Sequence, residues 1–322
     1  IIIPSISSGV CEIANILKSD DVLRTINAFK EMGVEITEEN KKIIINGKGL
    51  ESLQKPKKEI YLGNSGTSAR LLTGLLASQN FESFLTGDKS LSSRPMKRIT
   101  NPLSEMGAEI ITQNGKLPLH IKGKVLNNCK IEIDIPSAQI KSGLILAALN
   151  TEGTSYINEK HITRDHTEIM LQTFGANIET NKVGNSSEII INGKKSLTPK
   201  NIDVPADLSS SSFFIVAALI NKNSNITLEN ININPTRNGL LIALEKMGAN
   251  IKIFNQKTIA GEIVADINVK SSELSGCELD KEMAKLMIDE FPILSVAASQ
   301  ANSPSFFKGL DELRVKESDR LE

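Results

Sequence analysis

Four segments of this 322-residue chain share one ending: a helix-like run that closes on methionine or phenylalanine, then a glycine, then a short β-type stretch. They read RTINAFKEMGVEI, RITNPLSEMGAEI, HTEIMLQTFGANI and LLIALEKMGANI, and their glycines, Gly33, Gly107, Gly175 and Gly248, fall about 70 residues apart. Repetition of a supersecondary unit fixes the architecture before any local detail does. The chain is modular.

Between those helices runs a second series: GNSGTSARLLTGLLAS, PSAQIKSGLILAAL, ADLSSSSFFIVAALI and IDEFPILSVAAS. Each sets small or polar residues before an apolar run too long and too rich in Ala and Leu for most strands. A helix started by Ser, Thr, Asn or Gly presents unpaired backbone N–H groups and the positive end of its dipole, a setting suited to phosphate or carboxylate. Lys and Arg number 37 against 38 Asp and Glu, a formal net charge of −1, so no global basic field points to nucleic acid and no polybasic tail to a membrane surface. Anion binding has to be local.

With 40% hydrophobic residues the chain can bury one large core or two ordinary ones, and its length favours two domains. Cys11, Cys129 and Cys277 lie far apart, and His120, His161 and His166 form no ligand motif with them, so neither a structural zinc nor a disulfide framework is expected. No apolar run reaches the roughly 18 to 20 residues of a transmembrane helix, and a reduced cytoplasmic protein is expected. IIIPSISSGV opens with neither methionine nor a signal-peptide flank, and ELRVKESDRLE stops inside a helix pattern; both read as the ends of a fragment.

Each unit reads strand, helix, strand, helix, then a strand or strand pair. Residues 13–17 are expected as a strand, 20–32 as a helix, and 34–36 and 42–45 as short strands around a turn. Further helices are expected near 67–78, 95–106, 138–149 and 165–174, with Pro95 in a first turn. The stretch IIINGKKSLTPKNIDVPAD interrupts the pattern with Gly and two prolines, which divides the chain into a first domain, 1–204, holding three units, and a second, 205–322, left incomplete.

The densest chemistry lies in GLDELRVKESDRL, residues 309–321. A helix beginning near Lys316 would carry Lys316 and Arg320 on one face at i, i+4, able to clamp a multiply charged anion; the string also reads as a solvated charged helix. Asp289 and Glu290 precede the apolar FPILSVAAS, where a carboxylate either caps the helix or serves as a general base for a substrate hydroxyl. GNSGTSAR lacks the lysine and spacing of a P-loop, so no nucleotide follows; it is a capped turn or, through Gly66, a place where backbone N–H approaches phosphate closely. In LTGDKSLSSRPMKRI, Lys89, Arg94, Lys97 and Arg98 make a surface run, or Arg94 at a helix start holds a carboxylate or phosphate in a bidentate manner. Ser137, Gln139 and Arg164 are further polar candidates, while His166 reads as a surface or packing residue.

In that order, GNSGTSAR, GDKSLSSRPM, PSAQIKSG, TRDHTE, IDEFP and ELRVKESDR resemble the 3-phosphoshikimate 1-carboxyvinyltransferases, the 5-enolpyruvylshikimate-3-phosphate (EPSP) synthase family, over essentially the whole chain. The resemblance implies a two-domain α/β enolpyruvyl-transferase fold, inside-out and built from repeated βαβαββ units, with the last domain incomplete and helix N-termini directed toward the cleft between the domains. It implies transfer of the enolpyruvyl group of phosphoenolpyruvate to the 5-hydroxyl of shikimate 3-phosphate, releasing phosphate, on the route to chorismate and aromatic amino acids. A monomer with no metal or organic cofactor is implied. By motif, Ser137, Ala138, Gln139, Arg164, Asp289 and Lys316 would bind shikimate 3-phosphate, and Gly66, Arg94, Gln139 and Arg320 would hold phosphoenolpyruvate. Asp289 would accept the 5-hydroxyl proton, Lys316 would bind where the substrates meet, and Glu317 would protonate the methylene carbon. Gly66 would leave room for glyphosate, the family's competitive inhibitor.

The family's opening Lys, Ser and Arg would lie before Ile1, and a further Arg and Lys beyond Glu322. Ala138 stands where some members have serine, and Glu312 where some have asparagine. The chain as it stands is therefore expected to have little or no activity. The related UDP-N-acetylglucosamine enolpyruvyl transferases share the fold but carry a reactive loop cysteine, to which none of the three cysteines corresponds. A non-catalytic repeat scaffold is the remaining alternative.

Overall fold

The computed structural model describes residues 1–315 and 318–322, in two compact units, Ile1–Val204 and Pro205–Glu322. The first unit opens with α1 (Ile2–Ser5), β1 (Ser8–Ala14), α2 (Asp20–Glu31), β2 (Glu35–Glu39) and β3 (Lys42–Lys48). Next come β4 (Ile60–Tyr61), α3 (Gly66–Ala77), β5 (Glu82–Thr86), α4 (Lys89–Ser93), α5 (Lys97–Glu105), β6 (Glu109–Gln113) and β7 (Lys116–Lys122). A third set holds β8 (Lys130–Ile133), α6 (Ala138–Ala148), β9 (Thr154–Glu159), α7 (His166–Thr173), β10 (Asn177–Val183) and β11 (Ser186–Asn192), and β12 (Ile202–Asp203) ends the unit.

These strands make three four-stranded sheets of one design: β12-β1-β3-β2, β4-β5-β7-β6 and β8-β9-β11-β10. In each, the first pair is parallel and the rest antiparallel. The first sheet borrows its parallel strand from the far end of the unit, with Ile13 opposite Ile202. Alternation decides which way each strand faces: β3 buries Ile43 and Ile45, and β7 buries Leu117, Leu119 and Ile121. The other faces meet solvent, with Val10, Phe84, Ile111 and Tyr156 exposed. Helices take the interior, and α6 has all of its residues from Ile140 to Ala148 buried, Lys141 and Ser142 among an otherwise apolar run.

The repeated Met/Phe-Gly ending has one physical cause. Met32, Met106, Phe174 and Met247 each occupy the C-cap with their side chains fully buried, and the next glycine takes φ of +83°, +90°, +80° and +85°. Behind each glycine a backbone N–H returns to the helix: Val34 to Phe29, Ala108 to Leu103, Ala176 to Leu171 and Ala249 to Leu244. That is the Schellman arrangement, which satisfies last-turn carbonyls and needs a residue without a Cβ penalty in the left-handed region.

Two helices of the first unit approach more closely than side chains would allow. A Cβ on Gly74 of α3 would stand 1.8 Å from the carbonyl oxygen of Gly143 on α6, so the backbones touch there. Glycine at both positions sets how closely the two helices pack.

The second unit opens with α8 (Leu208–Ile220), β13 (Asn225–Asn232), α9 (Gly239–Lys246), β14 (Asn250–Ile259) and β15 (Glu262–Lys270); its strands form an antiparallel sheet, β13-β15-β14, to which Ala206 adds a parallel bridge at Ile231. The same design begins again with β16 (Glu278–Leu279), α10 (Lys281–Leu286), α11 (Phe291–Ser299) and β17 (Phe306–Phe307), β16 and β17 being parallel, before a 3-10 turn at Asp311–Val315. The core gathers α8, α9 and α11 around Leu240, Leu244, Phe291 and Leu294.

Three local expectations are corrected. The first strand is Ser8–Ala14, not 13–17, because Asn15 turns to φ +56° and donates through Nδ2 to Asp203. Pro95 lies outside α5, whose N-cap is Met96; the Met96 N–H is taken at 2.8 Å by the carbonyl of Gly115 at the β6–β7 hairpin tip, and the proline inside the helix is Pro102. Arg94 follows α4 as its C-cap and does not start a helix.

Candidate functional site

In the first unit the start of α3 is built by hydroxyls. Ser65 caps it, its Oγ accepting from the Ser68 N–H at 3.2 Å, and buried Ser65, Ser68 and Thr25 form a hydroxyl chain with contacts of 2.7 and 2.8 Å. Gly66 comes next, and a Cβ there would lie 2.8 Å from Arg70 Nη1 and 2.9 Å from Arg94 Nη1. Glycine is therefore what admits two guanidinium ends to this helix start. Arg94 donates to Asn64 Oδ1 at 2.8 Å.

Gln139 joins this region to α6. Its Oε1 accepts from Arg70 Nη1 at 3.0 Å and its Nε2 donates to Thr67 Oγ1 at 2.9 Å, so both ends of one amide are held by α3. Arg70 also donates to the Gly66 carbonyl at 3.1 Å and the Pro95 carbonyl at 3.3 Å. Burial, then the nearby Arg94 and Arg98, lower its pKa to about 10, which leaves it cationic at neutral pH. Ser137 caps α6, accepting from the Ile140 N–H at 3.4 Å, and Ala138 is the first residue of that helix. Arg164 lies in the loop just before α7. Two helix N-termini, a glycine gap and converging guanidinium groups together favour anionic ligands.

In the second unit Asp289 Oδ1 stands 3.3 Å from Arg320 Nη1. Glu290 holds the N-cap position of α11 but makes no side-chain cap bond; it is buried and accepts from Ser209 Oγ. Arg237 donates through Nη2 to Asp207 Oδ1 at 2.9 Å and to Ser209 Oγ at 2.5 Å. Burial opposes the Asp207 charge, but Arg237 and the Ser210 N–H and hydroxyl outweigh it and bring its pKa below the usual carboxylate value. Lys316 and Glu317 lie outside the described residues. The helix expected to put Lys316 and Arg320 on one face does not extend through 318–322, where the Arg320 N–H turns back to the Leu313 carbonyl at 3.1 Å.

Sequence reasoning passed over Arg70, although it closes the GNSGTSAR string. It also passed over a buried ion cluster of Lys141, Glu159 and Glu168. Burial opposes the Lys141 charge, yet Glu168 and Glu159 raise its pKa; burial raises that of Glu168 despite Lys141. The available signal was a lysine inside the otherwise apolar α6, a position no solvated charge would occupy.

The fold is that of the enolpyruvyl transferases. The structure of the enolpyruvyl transferase NikO from Streptomyces tendae matches with a TM-score of 0.67 over 95% of this chain and 71% of that one, at 16% identity, a likeness of fold. Within that class the chain belongs to the EPSP synthase (3-phosphoshikimate 1-carboxyvinyltransferase) family, whose model matches residues 1–322. It is 46% identical to 3-phosphoshikimate 1-carboxyvinyltransferase from Ruthia magnifica over the whole chain and 73% of the relative, and 45% identical to that of Hydrogenovibrio crunogenus at the same coverage. The EPSP synthase structure from Acinetobacter baumannii superposes with a TM-score of 0.89 at 42% identity, over 99% of this chain and 72% of that one. The chain is thus an enolpyruvyl transferase of the shikimate pathway, and neither the UDP-N-acetylglucosamine enzyme nor a non-catalytic scaffold is favoured. The expectation that the chain is inactive is not borne out, since the family match runs over every residue. Among the described residues no helix is long and apolar enough to cross a membrane.

Proposed function

We infer that this chain joins the enolpyruvyl group of phosphoenolpyruvate to the 5-hydroxyl oxygen of shikimate 3-phosphate and releases inorganic phosphate, acting as a monomer in the cytoplasm. The observation that carries the reading is the double hold on Gln139, which brings the start of α6 against the Gly66–Arg70 turn of α3. In this reading Ser137, Ala138 and Arg164 bind shikimate 3-phosphate, Gly66, Arg94 and Arg320 bind phosphoenolpyruvate, and Gln139 touches both. Each ligand brings a phosphate and a carboxylate, so guanidinium groups and helix N-termini offset the repulsion of two polyanions held together.

Asp289 then takes the proton of the 5-hydroxyl while its oxygen attacks the central carbon of phosphoenolpyruvate, and Glu317 delivers a proton to the methylene carbon. The adduct is a tetrahedral phosphate ketal. Glu317, a carboxylate after the addition, takes a proton back from the new methyl group as the carbon–oxygen bond to phosphate breaks, which restores the double bond as an enol ether; Lys316 binds where the substrates meet. Asp289 Oδ1 lies 3.3 Å from Arg320 Nη1, so the base of this reading and a phosphoenolpyruvate ligand are neighbours in the second unit.

Phosphate release measured with both substrates, with either alone, and with the Gln139→Ala variant tests this. Dependence on both substrates, and a loss of about 10- to 100-fold in kcat/KM in the variant, is expected for a residue that touches both ligands. Release of phosphate from phosphoenolpyruvate alone would refute the reading. Light scattering behind a sizing column checks the monomer, with a mass of about twice 35.0 kDa as the contrary result.

A further inference from the structure

The third sheet of the first unit encloses the Lys141 cluster, for which the proposed chemistry has no use. Lys141 on α6 is 1% exposed, and Glu159 at the end of β9 and Glu168 in the first turn of α7 are 2% exposed. Lys141 Nζ lies 2.9 Å from Glu159 Oε1, 2.8 Å from Glu168 Oε1 and 3.3 Å from the carbonyl oxygen of Thr163. Glu159 Oε2 is given over to Thr163, accepting its N–H at 3.2 Å and its hydroxyl at 2.7 Å. Glu159 Oε1 also accepts from Ser187 Oγ of β11 at 2.8 Å.

Apolar residues of similar volume commonly hold a core as well as a buried ion cluster does, so stability alone is a poor reason for this one. Its geometry offers another. Thr163 receives three of the contacts, belongs to no helix or strand, and immediately precedes Arg164. Lys141 stands two residues after Gln139, in the first turn that Ser137 caps. The next residue, Ser142, meets Thr167 at 2.7 Å and ties the same two helices a second time.

We propose that Lys141, Glu159 and Glu168 are positioning residues: they hold the loop that carries Arg164 in register with the start of α6 that carries Ser137 and Gln139, so that one phosphorylated cyclic acid meets both. The proposal rests on the reading of Arg164 and Gln139 as ligands of shikimate 3-phosphate. A pair of charges gives what an apolar plug cannot, a directional hold on the backbone of a single residue.

Calorimetric titration of shikimate 3-phosphate into the chain and its Glu159→Gln, Thr163→Val, Arg164→Ala and Glu159→Gln/Arg164→Ala variants tests it, with melting midpoints measured alongside. Thr163→Val leaves the three charges in place and guards against a failure to fold. Expected are losses of affinity of about tenfold for Glu159→Gln and about threefold for Thr163→Val, with the double variant binding no more weakly than Arg164→Ala, because the residues act through one another. Lowered melting midpoints with unchanged affinity would overturn the proposal and leave the cluster a structural staple. Additive losses in the double variant would overturn it while sparing the reading of Arg164. An Arg164→Ala variant that binds like the parent would fell that reading, and the proposal with it.

Discussion

At the scale of single residues, Gly66 carries the sharpest prediction. A methyl there meets the far ends of two arginines rather than backbone, so those side chains shift and the fold stays intact. Gly66→Ala should raise the KM for phosphoenolpyruvate by about tenfold and weaken glyphosate inhibition at least as much, with little change in KM for shikimate 3-phosphate. Steady-state kinetics with each substrate varied in turn checks this; equal effects on both would mean a general disturbance of the site. Asp207 gives a pH prediction. Its pKa is lower folded than its ordinary value of 3.8, so its contribution to stability is present above that value and is lost as pH falls through the folded pKa. Asp207→Asn keeps a competent cap but loses that dependence, so the gap in melting midpoint between parent and variant should hold above pH 3.8 and narrow as pH falls below it. A gap that stays constant would place the effect elsewhere. The motifs made Gly66, Arg94 and Gln139 visible as candidates, since short polar strings before apolar runs are local signals. Arg70, Lys141 and Glu159 were not visible as partners, because what makes them matter is burial against residues 18 to 69 positions away.

Among the elements, the helix ends were the most legible, for the Schellman glycine is chemistry that one residue announces. Gly175 is a clean test: the nearest atom to an added Cβ is Thr198 Oγ1 at 3.6 Å, so alanine would suffer only from its φ of +80°. Gly175→Ala should cost about 1–2 kcal/mol in a denaturant titration. Gly74→Ala differs in kind, since its methyl runs into the Gly143 carbonyl; a loss at or above the top of the about 1–3 kcal/mol range for overpacking is expected, with impaired binding at both helix starts. Helix beginnings were harder to read. Proline is well suited to a first turn, which made Pro95 a reasonable choice, yet the β6–β7 hairpin supplies the carbonyl that places the start at Met96. Tertiary hydrogen bonds of this kind leave no mark in the local sequence.

For the whole molecule, the repeat spacing and the interrupted stretch at 189–207 conveyed the modular α/β character, because both are patterns of composition along the chain. The order of strands was not conveyed. Nothing local in Ile202–Asp203 says that two residues complete a sheet begun at Ser8, and that pairing is a property of the folded unit. Residues 1–204 expressed alone should accordingly unfold in one cooperative transition, followed by circular dichroism in denaturant, and ending the chain at 199 instead should lower its midpoint. The borrowed strand also bears on synthesis. Asn15 bonds to a residue 188 positions later, and at roughly 5–20 residues per second the first sheet waits on the order of 10–40 s for its last strand. β1 emerges long before the strand that covers its edge, so a nascent chain that stalls between β3 and β12 offers chaperones and proteases an open edge at β1.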